Sequence, residues 1–251
     1  MHNPTRLLPL QGASNFRDLG GYTGHDGREH RTVRWRRLFR SDHLGGLTPE
    51  DHAAVQALGI RRAFDFRGAH ESAAQPYDVP GVVRHALAIE PTVAQQMQAL
   101  AHAGLPLSPE RMVVLMEELY LRLVDVESAR FAQWFAHLLA DDTPQVFHCT
   151  AGKDRTGLAA ALLLRALGVS QADVDADYLL TNRHYRRPPS SDARVPDEAL
   201  AVLWSVQPSF LQAAFDRIDS HHGGLDAYLE QRLRLGGAQR ARLQTLYLDA
   251  A

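Results

Sequence analysis

The chain has 251 residues, of which 45% are apolar and 22% charged, and a formal net charge of −2. That length suits one large domain, or one domain with an accessory element, and a charge so near zero supplies no broad basic field for nucleic acid, so anion binding has to be local. A single cysteine excludes an internal disulfide and fits either a reducing compartment or a catalytic thiol.

Met1 to Gln11 lacks the charged start and apolar centre of a signal peptide, and no run of about 18 apolar residues could span a membrane. A cytoplasmic protein is expected, with export by another route left open. Asn15 to Tyr22 is turn-rich, bending at Gly20-Gly21; its Arg17-Asp18 pair reads by itself as a surface ion pair. Thr23 to Arg31 suggests a polar hairpin around Asp26-Gly27, and Val33 to Arg40 a strand. Thr48-Pro49-Glu50-Asp51 is a helix start, with a capping threonine, proline at the first helical position and acids in the first turn. Gly59 ends that helix. Ile60 to Phe66 predicts a core strand that delivers Asp65 and Arg67 to its carboxyl end, where open α/β sheets hold their sites. Val82 to Ile89 predicts another strand.

Ser108-Pro109-Glu110 opens a helix to about Val124, with Met112 and Met116 as core filler, and Glu127 to Leu139 a further helix. Pro144 to Phe147 predicts a short buried strand. From Thr156 to Leu167 the residues are apolar on nearly every side, the mark of a buried helix, which Gly168 stops. Ser170 to about Arg183 is helical. Arg183 to Ser191, with Pro188-Pro189, reads as a loop or hinge. Two helices follow, Val195 to Leu203 and Pro208 to Ile218, then Leu225 to Leu235 and a closing helix from Ala238 to Leu248.

The chemistry concentrates between that short strand and the apolar helix, in His148-Cys149-Thr150-Ala151-Gly152-Lys153-Asp154-Arg155-Thr156-Gly157. A loop feeding a helix N-terminus aims backbone N–H groups and the positive end of the helix dipole at one spot. The amides of Thr150, Ala151, Gly152, Lys153 and Asp154 would cradle a phosphate. Arg155 supplies a planar fork for two oxyanion oxygens, and the same field favours the Cys149 thiolate as nucleophile. Thr156 is placed to hydrogen-bond the sulfur as it leaves, and His148 to fix the loop from behind. A lone cysteine after an apolar strand is ordinarily a buried hydrophobe; Gly152, Arg155 and the following helix together turn the reading towards catalysis.

Cysteine, five intervening residues, then Arg-Thr-Gly resembles the phosphate-binding signature of cysteine-dependent protein tyrosine phosphatases. The fuller string, with Asn15-Phe16-Arg17-Asp18-Leu19-Gly20-Gly21-Tyr22, Phe39-Arg40-Ser41-Asp42 and Phe64-Asp65-Phe66-Arg67 with Glu71, is similar to the atypical bacterial branch. The resemblance implies a three-layer α/β fold with a mainly parallel central sheet flanked by helices, a phosphocysteine mechanism, and neither cofactor nor metal. It also implies a helical lid over residues 188–220 of a single domain 1–251, where the residues alone suggest ordinary core helices. Arg17 and Asp18 would buttress the loop. Lys153, by itself a solvated surface lysine, would favour heavily phosphorylated substrates such as phosphoinositides, and Arg183, Arg186 and Arg187 could extend a basic rim or simply form a solvated face.

The leading substrate is a phosphotyrosyl protein, with phosphoserine, phosphothreonine and phosphoinositides also open. The general acid has two candidates, since the Trp-Pro-Asp loop of the animal enzymes does not occur: Asp154, which resembles the aspartate before arginine in myotubularin lipid phosphatases, and Asp65, which could instead be the partner of an arginine. A dedicated phosphoinositide phosphatase, a phosphate-binding module without turnover, and a sulfurtransferase are the competing readings.

Overall fold

In the computed structural model, residues 5–27, 29–187 and 195–249 are described. The strands are β1 (Arg17–Asp18), β2 (Thr23–His25), β3 (His30–Thr32), β4 (Leu38–Ser41), β5 (Arg62–Asp65), β6 (Val83–Ala86) and β7 (Gln145–His148). The helices are α1 (Pro49–Ala57), α2 (Ala69–Ala74), α3 (Val93–His102), α4 (Pro109–Asp125), α5 (Ser128–Leu138), α6 (Arg155–Ala166), α7 (Gln171–Leu179), α8 (Thr181–His184), α9 (Asp197–Trp204), α10 (Pro208–His222), α11 (Leu225–Gln231) and α12 (Gly237–Tyr247).

Five strands form the central sheet in the order β1-β4-β7-β5-β6, all parallel except β1, while β2 and β3 make the expected hairpin. A parallel sheet needs cover on both faces, and the side-chain alternation supplies it. Phe39, Ala63 and Val146 enter a smaller core with Val55 of α1. Their neighbours Leu38, Phe64 and Phe147 enter the larger core with Trp134 of α5 and the leucines of α6. Helix α6 is buried from Arg155 to Leu164, as a helix apolar on all sides must be. The molecule is thus three-layered α/β with β7 at its centre.

The Thr48 cap forms a reciprocal box with Asp51, and Ser108 caps α4. The expected strand from Val33 to Arg40 is shorter, because the chain turns at Arg36, in the left-handed region at φ 63°. The Asp18 carboxylate accepts the Arg36 backbone N–H at 2.9 Å and that of Gly20 at 2.8 Å, so it holds this turn. Helix α3 lies in a segment to which the sequence reading assigned no element; Val93, Met97 and Leu100 pack on the core at helical spacing. Of the segment expected to carry a lid, α9 and α10 both pack on α4, with Ala199, Leu200, Phe210, Leu211, Ala214 and Ile218 buried. The expected hinge at Pro188-Pro189 lies outside the described residues.

Candidate active site

Register sets the site. Ser41, His148 and Asp65 pair across β4, β7 and β5, so three parallel strands end at one level, and Cys149 follows directly on the central one. The cysteine is 2% exposed.

The loop after it is anchored through its carbonyls. Thr150 O accepts the His43 N–H at 3.0 Å, Asn15 Nδ2 donates to Ala151 O at 3.1 Å and Gly152 O at 3.2 Å, and Arg40 Nη2 donates to Gly152 O at 2.8 Å. In a trans peptide the N–H points opposite to the C=O. Drawing those three carbonyls outward therefore turns the amides of Ala151, Gly152 and Lys153 to the other side. Gly152 sits at φ 63°, and a Cβ there would lie 2.3 Å from Ser41 O, so only glycine fits. Gly157 lets Tyr178 pack close: a Cβ would come 3.0 Å from its ring, which would have to shift by a few tenths of an ångström.

The anchors are themselves held. Asp42 accepts the backbone N–H groups of Ser14 and Asn15, both at 3.1 Å. Arg17 hydrogen-bonds Asn15 Oδ1, which leaves the Asn15 amide nitrogen for the loop. Arg17 and Arg40, both fully buried, share the Asp177 carboxylate at 3.4 and 2.6 Å. Arg17 thus supports the loop through Asn15, whereas Asp18 serves the turn at Arg36.

Arg155 sits at the start of α6, 8% exposed. Glu71 grips its fork with both oxygens, at 2.6 and 2.9 Å, and also accepts the Thr150 hydroxyl and the Gly68 N–H. Nη1 further meets Phe66 O and Ile89 O. Among the described residues these partners occupy both Nη1 hydrogens and one on Nη2, leaving Nε–H and one Nη2–H of the five donors. Burial opposes the charge on Arg155, but the Glu71 hydrogen bond and then the neighbouring Cys149 raise its pKa above the ordinary value. Glu71 was legible only as part of a family string; its role needed the fold.

The two candidate acids lie in unlike surroundings. Asp65 is wholly buried, bound by Arg67 Nε at 2.9 Å, Arg67 Nη2 at 2.8 Å and Arg84 Nε at 2.9 Å. Burial works to raise its pKa, but the Arg67 hydrogen bonds and nearby positive charge bring it down to about 2. Asp154 keeps 18% of its side chain exposed; Oδ1 accepts the Tyr120 hydroxyl at 3.1 Å and Oδ2 lies 3.4 Å from Lys153 Nζ. Lys153 is buried, and its ammonium donates to Leu203 O at 2.6 Å and Ser205 O at 3.0 Å, at the end of α9. Thr156 Oγ1 is buried with no hydrogen-bond partner among the described residues. Arg183, Arg186 and Arg187 are exposed.

His148 lies behind the loop, fully buried. Its Nδ1 donates to Cys149 O at 3.2 Å, which leaves Nε2 to accept the Tyr77 hydroxyl at 2.7 Å. Burial lowers its pKa to about 4. An unfolded imidazole titrates near 6.5, so between those values the unfolded chain binds a proton that the folded chain refuses, and stability falls as pH drops through that window. The loss amounts to about 3 kcal/mol by pH 4. Urea titrations at pH 7 and 4.5 should give a smaller pH effect for His148→Gln than for wild type; an equal effect would mean that this imidazole titrates normally in the fold.

A family model described as "Tyrosine phosphatase family" matches residues 8–249. A Cupriavidus necator protein named for tyrosine-protein phosphatase activity is 35% identical over 245 residues, covering 92% of this chain and 86% of its own. The triple specificity protein phosphatase PtpB of Mycobacterium tuberculosis is 30% identical over 263 residues, covering 88% of this chain and 91% of its own. Among solved structures, TpbA of P. aeruginosa aligns with 77% of this chain and 96% of its own, at 14% identity and a TM-score of 0.39. No helix among the described residues is long and apolar enough to cross a membrane.

Proposed function

The chain belongs to the tyrosine phosphatase family, and from that premise we propose that it hydrolyses phosphomonoesters, phosphotyrosyl protein first, through a phosphocysteine on Cys149. The observation that carries this is the pairing of a cysteine at the floor of an outward-anchored loop with an arginine whose fork Glu71 holds in place while two N–H donors stay free. The thiolate attacks phosphorus and the ester oxygen departs with a proton from the acid. That residue, now a base, takes a proton from water, whose oxygen attacks phosphorus and releases phosphate and thiolate. The free Arg155 donors and the loop amides hold the oxygens that gain charge, and the unpartnered Thr156 hydroxyl meets the departing sulfur.

The acid in this proposal is Asp154. Asp65 is fully buried and its oxygens are committed to two arginines, so it has no route to the substrate; Asp154 is in the loop and partly open. Activity towards phosphoserine and phosphothreonine is part of the proposal, as the name of the mycobacterial relative suggests. A preference for phosphoinositides has less support, because the Lys153 ammonium on which it depends is bound to α9 carbonyls. That contact holds the end of α9 beside the loop, and α9 and α10, both packed on α4, are in this proposal the accessory wall of a single phosphatase domain.

The test is turnover in EDTA on an aryl and an alkyl phosphate. An alkoxide needs its proton far more than nitrophenolate does. Asp154→Asn should therefore lose about 10²–10³-fold on the alkyl ester and much less on para-nitrophenyl phosphate. Asp65→Asn should lose stability without altering the ratio between the two esters. If the ratio changes in Asp65→Asn alone, the acid is misassigned. If reduced wild type binds phosphate without turnover, the chain is a recognition module, and persulfide on Cys149 with thiosulfate would identify sulfur transfer.

A further inference from the structure

Two buried tyrosines stand behind the proposed acid in a directed chain. The Tyr120 hydroxyl is 3.1 Å from Asp154 Oδ1 and 2.6 Å from the Tyr178 hydroxyl. A tyrosine has one proton to donate. With Asp154 as a carboxylate, which only accepts, Tyr120 must donate to it, and Tyr178 must donate to Tyr120. The order is thereby fixed as Tyr178 to Tyr120 to Asp154. The three side chains come from α7, α4 and the residue that precedes α6. The Tyr120 ring is further set by Phe210 of α10, at 6.1 Å between centroids, and the Tyr178 ring by the bare Gly157 backbone.

We infer that Tyr120, backed by Tyr178, is a positioning residue that holds Oδ1 of Asp154 and so reserves Oδ2 for the proton delivered to the leaving group. The inference rests on Asp154 being the acid. Within the proposed step, the Sγ–P bond forms, the P–O bond of the ester breaks, and the proton on Oδ2 moves to the departing oxygen while Oδ1 keeps its hydrogen bond throughout. In the second step Oδ2 takes the proton of the attacking water. Without Tyr120 the carboxyl group could rotate, with either oxygen turned to Lys153.

The charged and titratable groups facing this carboxyl are Lys153 and Arg155 beside it, Cys149 in the same loop, Tyr120 from α4, Tyr178 from α7 and Tyr185 after α8. Burial, and then the charge of Asp154, holds both Tyr120 and Tyr178 well above the ordinary phenol range. Both therefore remain donors at every pH at which the enzyme would work. A donor aimed at a carboxylate favours its charged form. Removing it should move the alkaline limb of the kcat/KM profile, where the acid has lost its proton, to higher pH.

Tyr120→Phe keeps the ring in the core and removes only the hydroxyl. It should lose about tenfold in kcat on an alkyl phosphate, little on para-nitrophenyl phosphate, and shift the alkaline limb upward. Tyr178→Phe leaves Tyr120 its bond to Asp154 without the second donor, so it should show the same pattern at smaller size. A merely structural role would lower Tm without changing the leaving-group ratio or the limb. Wild-type ratio and limb in Tyr120→Phe overturn the inference. Should that variant not fold, Tyr178→Phe with a wild-type ratio and limb does the same. If Asp154→Asn also leaves the ratio unchanged, the assignment of the acid falls and this inference with it; if Asp154→Asn changes the ratio and the tyrosine variants do not, only the positioning role is lost.

Discussion

Cys149→Ser should abolish turnover, by at least about 10⁴-fold, while phosphate binding persists. A serine hydroxyl at its ordinary pKa is a poor nucleophile without a base beside it. The described neighbours supply none: His148 is turned away to Tyr77 and the Cys149 carbonyl, and Glu71 is committed to Arg155 and Thr150. The cradle itself does not depend on the sulfur. Its anchors are Asn15, Arg40 and the His43 N–H, all untouched by the substitution. Steady-state rates on a phosphotyrosyl peptide, with calorimetry of inorganic phosphate binding, separate the two effects. Residual activity above about one part in a hundred would mean another nucleophile and would end the phosphocysteine mechanism.

Asp177→Ala should cost about 3–5 kcal/mol of stability. The carboxylate is 1% exposed and faces two arginines that are each fully buried. Burial pushes its pKa upward, but Arg17 and then Arg40 draw it below the ordinary carboxylate range. Arg17 has its own pKa lowered to about 10, chiefly by burial and then by Arg40. Deleting the shared anion leaves two buried guanidiniums facing one another, which costs far more than the loss of one surface pair. Arg40 also carries Gly152 O, so KM should rise together with the loss of stability. Urea unfolding gives the first quantity and phosphate-ester kinetics the second. Asp177→Asn, which keeps one acceptor, should be milder on both. A loss of about 1 kcal/mol or less in Asp177→Ala would mean that the arginines find other partners.

Much of the candidate site was legible because signature chemistry is local. Cys149, Gly152, Arg155 and Thr156 lie on one short stretch, and backbone geometry at a strand-loop-helix junction dictates what such residue types can do there. The helix starts at Thr48 and Ser108 were equally local, since a cap acts over three residues. Helix α3 was missed although Val93, Met97 and Leu100 carried a helical period. The expected strand from Val33 to Arg40 is cut short to β4 because the chain turns at Arg36, whose backbone N–H donates to Asp18, 18 positions away.

The sequence by itself determined the chemistry proposed: a candidate nucleophile in Cys149, a loop and an arginine fork suited to phosphate, and a buried helix behind them. It gave two aspartates as candidate acids and only a slight preference for Asp154, because a side chain's surroundings depend on neighbours that are distant in the chain. Only the tertiary structure separated them, by surrounding Asp65 with Arg67 and Arg84 in the protein interior and leaving Asp154 partly open against Tyr120. The supports of the loop were decided in the same way. Asn15, Arg40, Glu71 and Asp177 come from four separate segments, and their meeting depends on the parallel register of β4, β7 and β5 and on the packing of α7 against α6. Electrostatics and hydrogen bonds act through space over a few ångströms, so they are settled only once the fold has brought those segments together.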